Sequence, residues 1–398
     1  MDTSYDIIVI GGRVAGSAAA ITLARAGYRV LLVERSAMPS DTLSTHVLWP
    51  DGIAALGRLG VLDQVLATGA SPARHFRLVR GENEVLTEIV PFDGIDYLLC
   101  VRRLELDGIL WAAASATPGV DAFDRTAARH LLRRDGRVHG VMLAGDRPIE
   151  AELVVAADGR NSAIARQVGA IEENVVTPGR YWYYAYFRDA APPGPVALTE
   201  SDTERDSVMT MPMNAGLQMV ILGAYNEDFD AFRHDHRATY LARVNAHPWM
   251  ARMLAGAELA SPVRGIAGVP GYDRTAWGPG WALIGDAIHM KNPIVARGIN
   301  EALREAELLA TALAGGINDD ALAGYAAAVR AHVHGKALNA RMLERPDRWM
   351  TPGQAATLSA ATATPAGLAR YLRVEYDDNY GFAEFFGGCG DTSSPPSP

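Results

Sequence analysis

Residues 6–35, DIIVIGGRVAGSAAAITLARAGYRVLLVER, constrain the fold of this chain more than any other segment. Residues 7–10 are an apolar run suited to a buried parallel strand, which breaks into Gly11-Gly12-Arg13-Val14-Ala15-Gly16. An Ala-rich helical stretch then leads to a second apolar strand, residues 30–33, which ends in Glu34 and Arg35. Gly11 permits the tight turn, and Gly16 lets the helix pack close to the strand. The free N–H groups at the helix start, around Val14 and Ala15, attract a pyrophosphate. Glu34, about twenty residues on, can accept hydrogen bonds from a ribose. Arg13 departs from G-x-G-x-x-G, standing where a middle Gly would let the backbone approach the phosphates. The unit predicts a dinucleotide site at the head of a parallel α/β sheet.

The remaining composition narrows the class. A chain of 398 residues buries a large core and should hold about two domains. The net charge of −9 leaves no basic surface for nucleic acid. Cys100 and Cys389 lack a C-x-x-C neighbour, so neither a disulfide framework nor a metal site is expected, and a reducing cytoplasm is the natural compartment. The first strand starts within a few residues of Met1, which leaves no room for a signal peptide. Gly and Arg interrupt every apolar stretch, so no membrane span is expected.

Beyond Glu34 a polar loop, SAMPSDTLSTH, ends at His46, and residues 51–66 have helical periodicity. Residues 75–99 read as short strands, 104–114 as a helix preceded by Arg102-Arg103, and 121–155 as a β-meander closing on the buried run LVVAA. Near Pro178 the composition shifts. The segments YWYYAYF (181–187), SVMTMPM (207–213) and QMVILG (218–223) suggest long antiparallel strands, followed by a helix around 228–246. Residues 281–284 return to an apolar strand, and Ala/Leu-rich helices continue to about 386. The segment GGCGDTSSPPSP (387–398) has almost no apolar content and reads as disordered. This predicts an interrupted nucleotide-binding domain (1–74, 100–177, 266–315) with a sheet-based substrate domain inserted in two pieces (75–99, 178–265). A helical region (316–386) and a tail (387–398) complete the chain. The domain interface is the expected small-molecule site.

Two later motifs specify the nucleotide. Asp158-Gly159 follows a buried strand and opens a helix. Gly285-Asp286-Ala287-Ile288-His289 follows another, and the chain runs through Pro293, Ala296 and Arg297 to a helix starting at Gly298. An Asp at a strand end before a small residue can reach a ribitol or ribose hydroxyl. The start of that last helix carries about half a positive elementary charge, which favours an anionic reduced isoalloxazine. With these motifs the chain resembles the FAD-dependent monooxygenases of the p-hydroxybenzoate hydroxylase type and the geranylgeranyl-reductase-like flavoproteins, over residues 6 to about 315. The resemblance implies a Rossmann-like α/β FAD-binding domain, an inserted antiparallel β-sheet substrate domain and C-terminal helices. It also implies roles for individual residues. Glu34 would bind the adenosine ribose, Arg103 would approach the FAD, and Asp158 would lie near the pyrophosphate. Asp286 would bind the ribitol, and Pro293, Ala296, Gly298, Ile299 and Asn300 would pass the flavin ring. Arg13, and Ala296-Arg297-Gly298 in place of the usual Gly-x-Gly, mark a subgroup. Together with Asp41-Thr42-Leu43-Ser44-Thr45-His46 they are of a kind found in actinobacterial secondary metabolism, antibiotic biosynthesis included.

The implied reaction is oxygenation of a small apolar or aromatic metabolite, with NAD(P)H as transient reductant or a partner flavin reductase in its place. The protein then supplies position, shielding and proton handling. Candidate catalytic residues are His46, which can move a proton, and Arg297, which can tune the flavin or bind an acidic substrate. A loop-bonding histidine and a carboxylate-paired arginine are the bland alternatives. His289 is expected to hold its loop, and Lys291 is a weaker version of Arg297. Alternation puts Trp182, Tyr184 and Tyr186 on one face and Tyr181, Tyr183, Ala185 and Phe187 on the other. One face packs the domain and the other lines the site, so Tyr184, Tyr186 and Met211 are the candidate substrate contacts. Competing readings are an alkene reductase or dehydrogenase of the geranylgeranyl-reductase type, and a protein holding FAD without redox chemistry. A halogenase ranks behind these, because Trp-x-Trp-x-x-Ile-Pro is absent.

Overall fold

The computed structural model describes residues 1–41, 43–44, 46–203 and 205–388. Residues 389–398, with Cys389 and most of the expected tail, lie outside the described residues, as do Thr42, Thr45 and Glu204. The chain opens with β1 (Ser4–Ile10), α1 (Val14–Arg25), β2 (Val30–Val33) and α2 (Pro50–Leu59). A hairpin follows, β3 (His75–Arg80) with β4 (Asn83–Glu88), and then α3 (Arg103–Ala116), β5 (Val120–Phe123) and β6 (Arg147–Ala156). Four longer strands come next: β7 (Arg180–Arg188), β8 (Ala197–Asp202), β9 (Asp206–Pro212) and β10 (Gln218–Tyr225). Strand β11 (Trp281–Leu283) comes after these, and then α4 (Gly298–Ala312), α5 (Asp319–Glu344), α6 (Pro365–Tyr376) and α7 (Phe382–Gly388).

The apolar runs with no polar face form a parallel sheet, β5-β2-β1-β6-β11. Ile7, Ile8, Val9, Leu31 and Val154 are fully buried in it, as expected where helices cover both faces. Gly11 has φ +108°, and a Cβ there would stand 2.4 Å from the Ala157 carbonyl oxygen. A Cβ on Gly16 would stand 1.7 Å from the oxygen of Gly11, so the crossing of α1 over β1 tolerates no side chain.

The second sheet runs β7-β10-β9-β8-β3-β4. Its pairings are antiparallel except β8 with β3, which are parallel because β3 and β4 arrive from the earlier crossing of the chain. Alternation along β7 separates two cores. Tyr181, Ala185 and Phe187 pack against Phe232, Tyr240, Val244 and Trp249. Trp182 and Tyr184 share the opposite face with Met209, Met211, Met219 and Ile221, which meets Leu368, Tyr371 and Phe385 of the C-terminal helices.

Three expected elements differ in detail. The periodic stretch 51–66 is two helices, because Gly60 terminates the first with φ +76°. The helix expected around 228–246 is broken at Asp235, whose side chain accepts from Ala238 N at 3.0 Å and caps the second half. Residues 387–388, expected in the tail, instead end α7.

Beneath the second sheet α6 carries a buried carboxyl. Glu375 is 3% exposed and accepts a hydrogen bond from Asn339. Burial pushes it up to about 7, against the opposing pull of Arg297, Lys336 and Lys291. Because the folded value lies above the unfolded one, its contribution is full below about pH 4.5 and is lost as pH rises towards 7. Glu375→Gln should therefore stabilise the protein by about 3 kcal/mol at pH 8 and by little at pH 4.5, measured by urea unfolding at both pH values.

Candidate functional site

The carboxyl ends of β1, β2, β6 and β11 converge on one cleft of about 580 Å³ that runs to the Trp182 face of β7. At one end Glu34 leaves β2. Its Oε2 accepts from Gly12 N at 2.9 Å and its Oε1 from Ser36 N at 2.8 Å. Each oxygen keeps a lone pair, so the carboxylate stiffens the glycine turn and can still receive a ribose hydroxyl. Arg35 and Arg13 line the same end, with Arg13 Nη2 on Ser40 Oγ at 3.1 Å. Val14, Ala15, Asp158, Gly285 and Asp286 line the middle. One Asp158 oxygen accepts from Ala163 N at 2.8 Å, while the other is buried with no protein partner. Asp286 opens onto the cleft, and the surrounding protein raises its carboxyl above the ordinary range. Arg103 lines the wall and is clamped on Asp107 at 2.9 and 3.0 Å; burial raises Asp107, against the pull of Arg103.

At the far end Pro293, Ala296, Gly298 and Ile299 form the floor. Ala296 adopts the left-handed conformation (φ +52°), which brings the start of α4 to the cleft without the usual glycine. That turn is tied from behind. Arg297 is fully buried, and its guanidinium meets Asp51 at 2.5 and 2.8 Å. Asn300 Nδ2 donates to Asp51 at 2.7 Å, and Trp49 Nε1 donates to the Val295 carbonyl at 3.2 Å. Glu301 and Glu305 continue the stripe along α4, paired with Lys291 and His289. Burial would raise Glu301, but Lys291, His289 and Arg297 overturn that and hold it at about 2. His289 donates to Glu305 at 2.5 Å; burial opposes its charge, and Glu305 raises it nonetheless.

Beside Tyr184, on the sheet wall, lies a chain of hydrogen bonds. His46 is fully buried at φ +65°, with Nδ1 2.5 Å from the Ser44 carbonyl oxygen and Nε2 2.8 Å from the Tyr186 hydroxyl. A carbonyl only accepts, so Nδ1 carries the proton and Nε2 of the neutral ring accepts from Tyr186. The Tyr184 ring lies against that of Tyr186, with centroids 5.5 Å apart. Burial lowers His46 to about 4, only partly opposed by its bond to Ser44. The ring is therefore neutral at physiological pH, and stability falls as the pH drops from about 6.5 towards 4. Wild type should lose about 3 kcal/mol from this residue over that window. His46→Asn, whose side chain tolerates positive φ, should lack that part of the slope in denaturant titrations at stepped pH.

Most of the residues singled out in the sequence thus meet on one cleft. Gly16 and Asn300 stand behind the wall as packing and tethering groups. Tyr186 and His46 are not among the cleft-lining residues; both rings pack against Tyr184, with centroids 5.5 and 5.3 Å from it. Met211 is in the core under the C-terminal helices, because its β9 face is covered by α6 and α7. The Arg297 guanidinium turns into the protein, against Asp51, rather than into the chamber. Sequence reasoning missed Trp49, Asp51, Asn292, Ile221 and Ile266. Trp49-Pro50-Asp51 did carry a helix-start signal, but nothing local reveals that its carboxylate meets residue 297.

A parallel sheet, a glycine turn and strand-end acids on one extended cleft define an FAD-dependent flavoprotein. An orphaned buried Asp158 oxygen and a helix start at the cleft's far end fit that cofactor. The family model described as an FAD binding domain matches residues 4–338, and the chain belongs to that family. A digeranylgeranylglycerophospholipid reductase of Methanothermobacter thermautotrophicus is 34% identical over 174 residues, 42% of each chain. The chain thus spans less than half the length of that relative. A kynurenine 3-monooxygenase of Salinispora tropica is 27% identical over 403 residues, 94% of this chain and 87% of its own. Among solved structures a flavoprotein/dehydrogenase from Cytophaga hutchinsonii superposes with TM-score 0.80 at 19% identity, over 94% of each chain. No helix among the described residues is long and apolar enough to cross a membrane.

Proposed function

We propose that this protein is a monooxygenase that hydroxylates or epoxidises a small apolar or aromatic metabolite. In this reading Glu34 and Arg35 hold the adenosine end of FAD, and Arg13, Val14, Ala15 and Asp158 hold the pyrophosphate. Asp286 holds the ribitol, and residues 293–299 hold the ring. Bound FAD supplies two-electron transfer from NAD(P)H and the activation of dioxygen. The reaction balances as substrate, O2, NAD(P)H and a proton giving oxygenated substrate, water and NAD(P)+. The chain's own residues bind and orient the substrate against the Trp182, Tyr184 and Ile221 wall, and exclude water from it. Tyr184 holds a polar group of the substrate, and Tyr186 and His46 hold Tyr184 in place.

The observation that carries this reading is the chamber at the helix-start end of the cleft, walled by a sheet and closed behind by the C-terminal helices. It is supported by the likeness to a monooxygenase over 94% of the chain. The likeness to a digeranylgeranylglycerophospholipid reductase supports a second reading, reduction of an alkene by the same flavin. The two differ in oxygen use. Product carrying label from 18O2, with no conversion under strict anaerobiosis, is expected; equal conversion without oxygen would select the reductase.

A further inference from the structure

An ion pair closes the loop that forms the far floor of the cleft. Lys291 precedes the floor segment 293–299, Glu301 follows it, and the Lys291 ammonium sits on Glu301 Oε2. His289 approaches the same oxygen at 4.0 Å while it holds Glu305, one turn further along α4. Lys291 and Glu301 both line the cleft, yet Glu301 is only 1% exposed, and its Oε1 is buried without a protein hydrogen-bond partner. Arg297, the other cation on this loop, is turned away onto Asp51. The charged side chains that meet the cleft beside its far floor are therefore Lys291, His289 and Glu301.

Charge at this place acts on a bound ring. Two-electron reduction of FAD by NAD(P)H transfers one hydride, releases NAD(P)+ and leaves one negative charge on the isoalloxazine. The start of α4 favours that anion. Glu301, in the first turn of the same helix, opposes it, and burial lets the opposition act with little screening by solvent or salt. Lys291 offsets Glu301 at contact distance, so the positive end of α4 is left to act on the ring. A clamp that only closed the loop would not need its charges on the cleft wall.

We propose that the Lys291–Glu301 pair sets the reduction potential of the bound flavin, Lys291 favouring the anionic reduced ring and Glu301 limiting that pull. The inference rests on the proposed placing of the ring at residues 293–299, and it is independent of the choice between oxygenase and reductase.

The test is an anaerobic, substrate-free titration of the FAD-loaded protein against a dye of known potential, with the oxidised flavin spectrum recorded first. Free FAD in excess keeps the site filled where a variant binds it more weakly. Glu301→Gln should raise the potential by about 60 mV, a hundredfold gain in preference for reduced over oxidised FAD in a two-electron couple. Lys291→Met should lower it by about as much, and Lys291→Arg should hold it within about 15 mV, or threefold. The double variant Lys291→Met with Glu301→Gln should lie within about 30 mV, or tenfold, of wild type. Either single variant decides its sign alone, so one that does not fold leaves the other as the test. Shifts of the same sign in both, as a slackened loop would give, or shifts below about threefold, would overturn the inference. Single variants whose oxidised spectra also match wild type would overturn the placing of the ring itself. A changed spectrum with an unchanged potential would overturn only the tuning role.

Discussion

Asp51→Asn should cost about 3–5 kcal/mol of stability and strip the protein of FAD, because it leaves the Arg297 cation buried without its counter-charge. Arg297 has no exposed surface, and its Nε already lacks a partner. The guanidinium of the variant would face one amide oxygen in place of two carboxylate oxygens. Asp51 Oδ1 accepts from both Arg297 and Asn300 while Oδ2 accepts from Arg297 alone, so a single amide oxygen cannot serve all three bonds and the tether on the first turn of α4 would slacken. That turn supplies the N–H groups at the ring end of the cleft, so loss of cofactor should exceed what global destabilisation alone produces. Titration of apoprotein with FAD at a temperature where the variant is still folded separates the two effects. A variant that binds FAD with wild-type affinity would show that the tether is structural only. Replacing both partners, as in Asp51→Leu with Arg297→Met, should recover much of the stability, since no charge is then left buried. It should not recover the flavin spectrum, because the turn loses the hydrogen bonds that fix it.

Tyr184→Phe should lower kcat/KM about a hundredfold, close to 3 kcal/mol, while FAD binding and unfolding midpoint change little. Of the Tyr184, Tyr186 and His46 cluster only Tyr184 lines the cleft, and loss of its hydroxyl leaves a polar group of the substrate unpaired in an apolar chamber. Removing Tyr186 instead leaves Nε2 of a fully buried His46 without a donor, so Tyr186→Phe should cost stability as well as rate. The contrast matters. Equal stability losses in both variants would mean that the chain serves the core and not the cleft. A Tyr184→Phe enzyme with normal kcat/KM would remove Tyr184 from the substrate site.

Several features were legible in one dimension because they are local. Gly11 and Gly16 sit where no Cβ fits, and their spacing from Glu34 follows from the length of one strand, one turn and one helix. Asp158 and Asp286 follow buried apolar runs, and a strand end is readable from such a run. The same is true of His46 as a residue of the loop beyond β2. It was less clear what these groups face. Alternation in YWYYAYF separates two faces of β7, yet both are aromatic and both are buried, so periodicity alone cannot orient them. Met211 shares the pocket-side parity of its strand and still lies under α6 and α7. Arg297 has every local mark of a ring-side cation. Its partner is 246 residues away, and only folding brings the two together.

The sequence by itself determined the parallel sheet, the dinucleotide turn and the order of the FAD-contacting motifs, because each is set by spacing within about thirty residues. Tertiary structure decided which face of the second sheet meets the cleft, which cations are spent on carboxylates, and which way the Tyr186 proton points. Those depend on pairings between distant segments and on a single backbone carbonyl at Ser44. Charge neutrality and hydrogen-bond direction are properties of assembled neighbours, and no stretch of chain carries them alone.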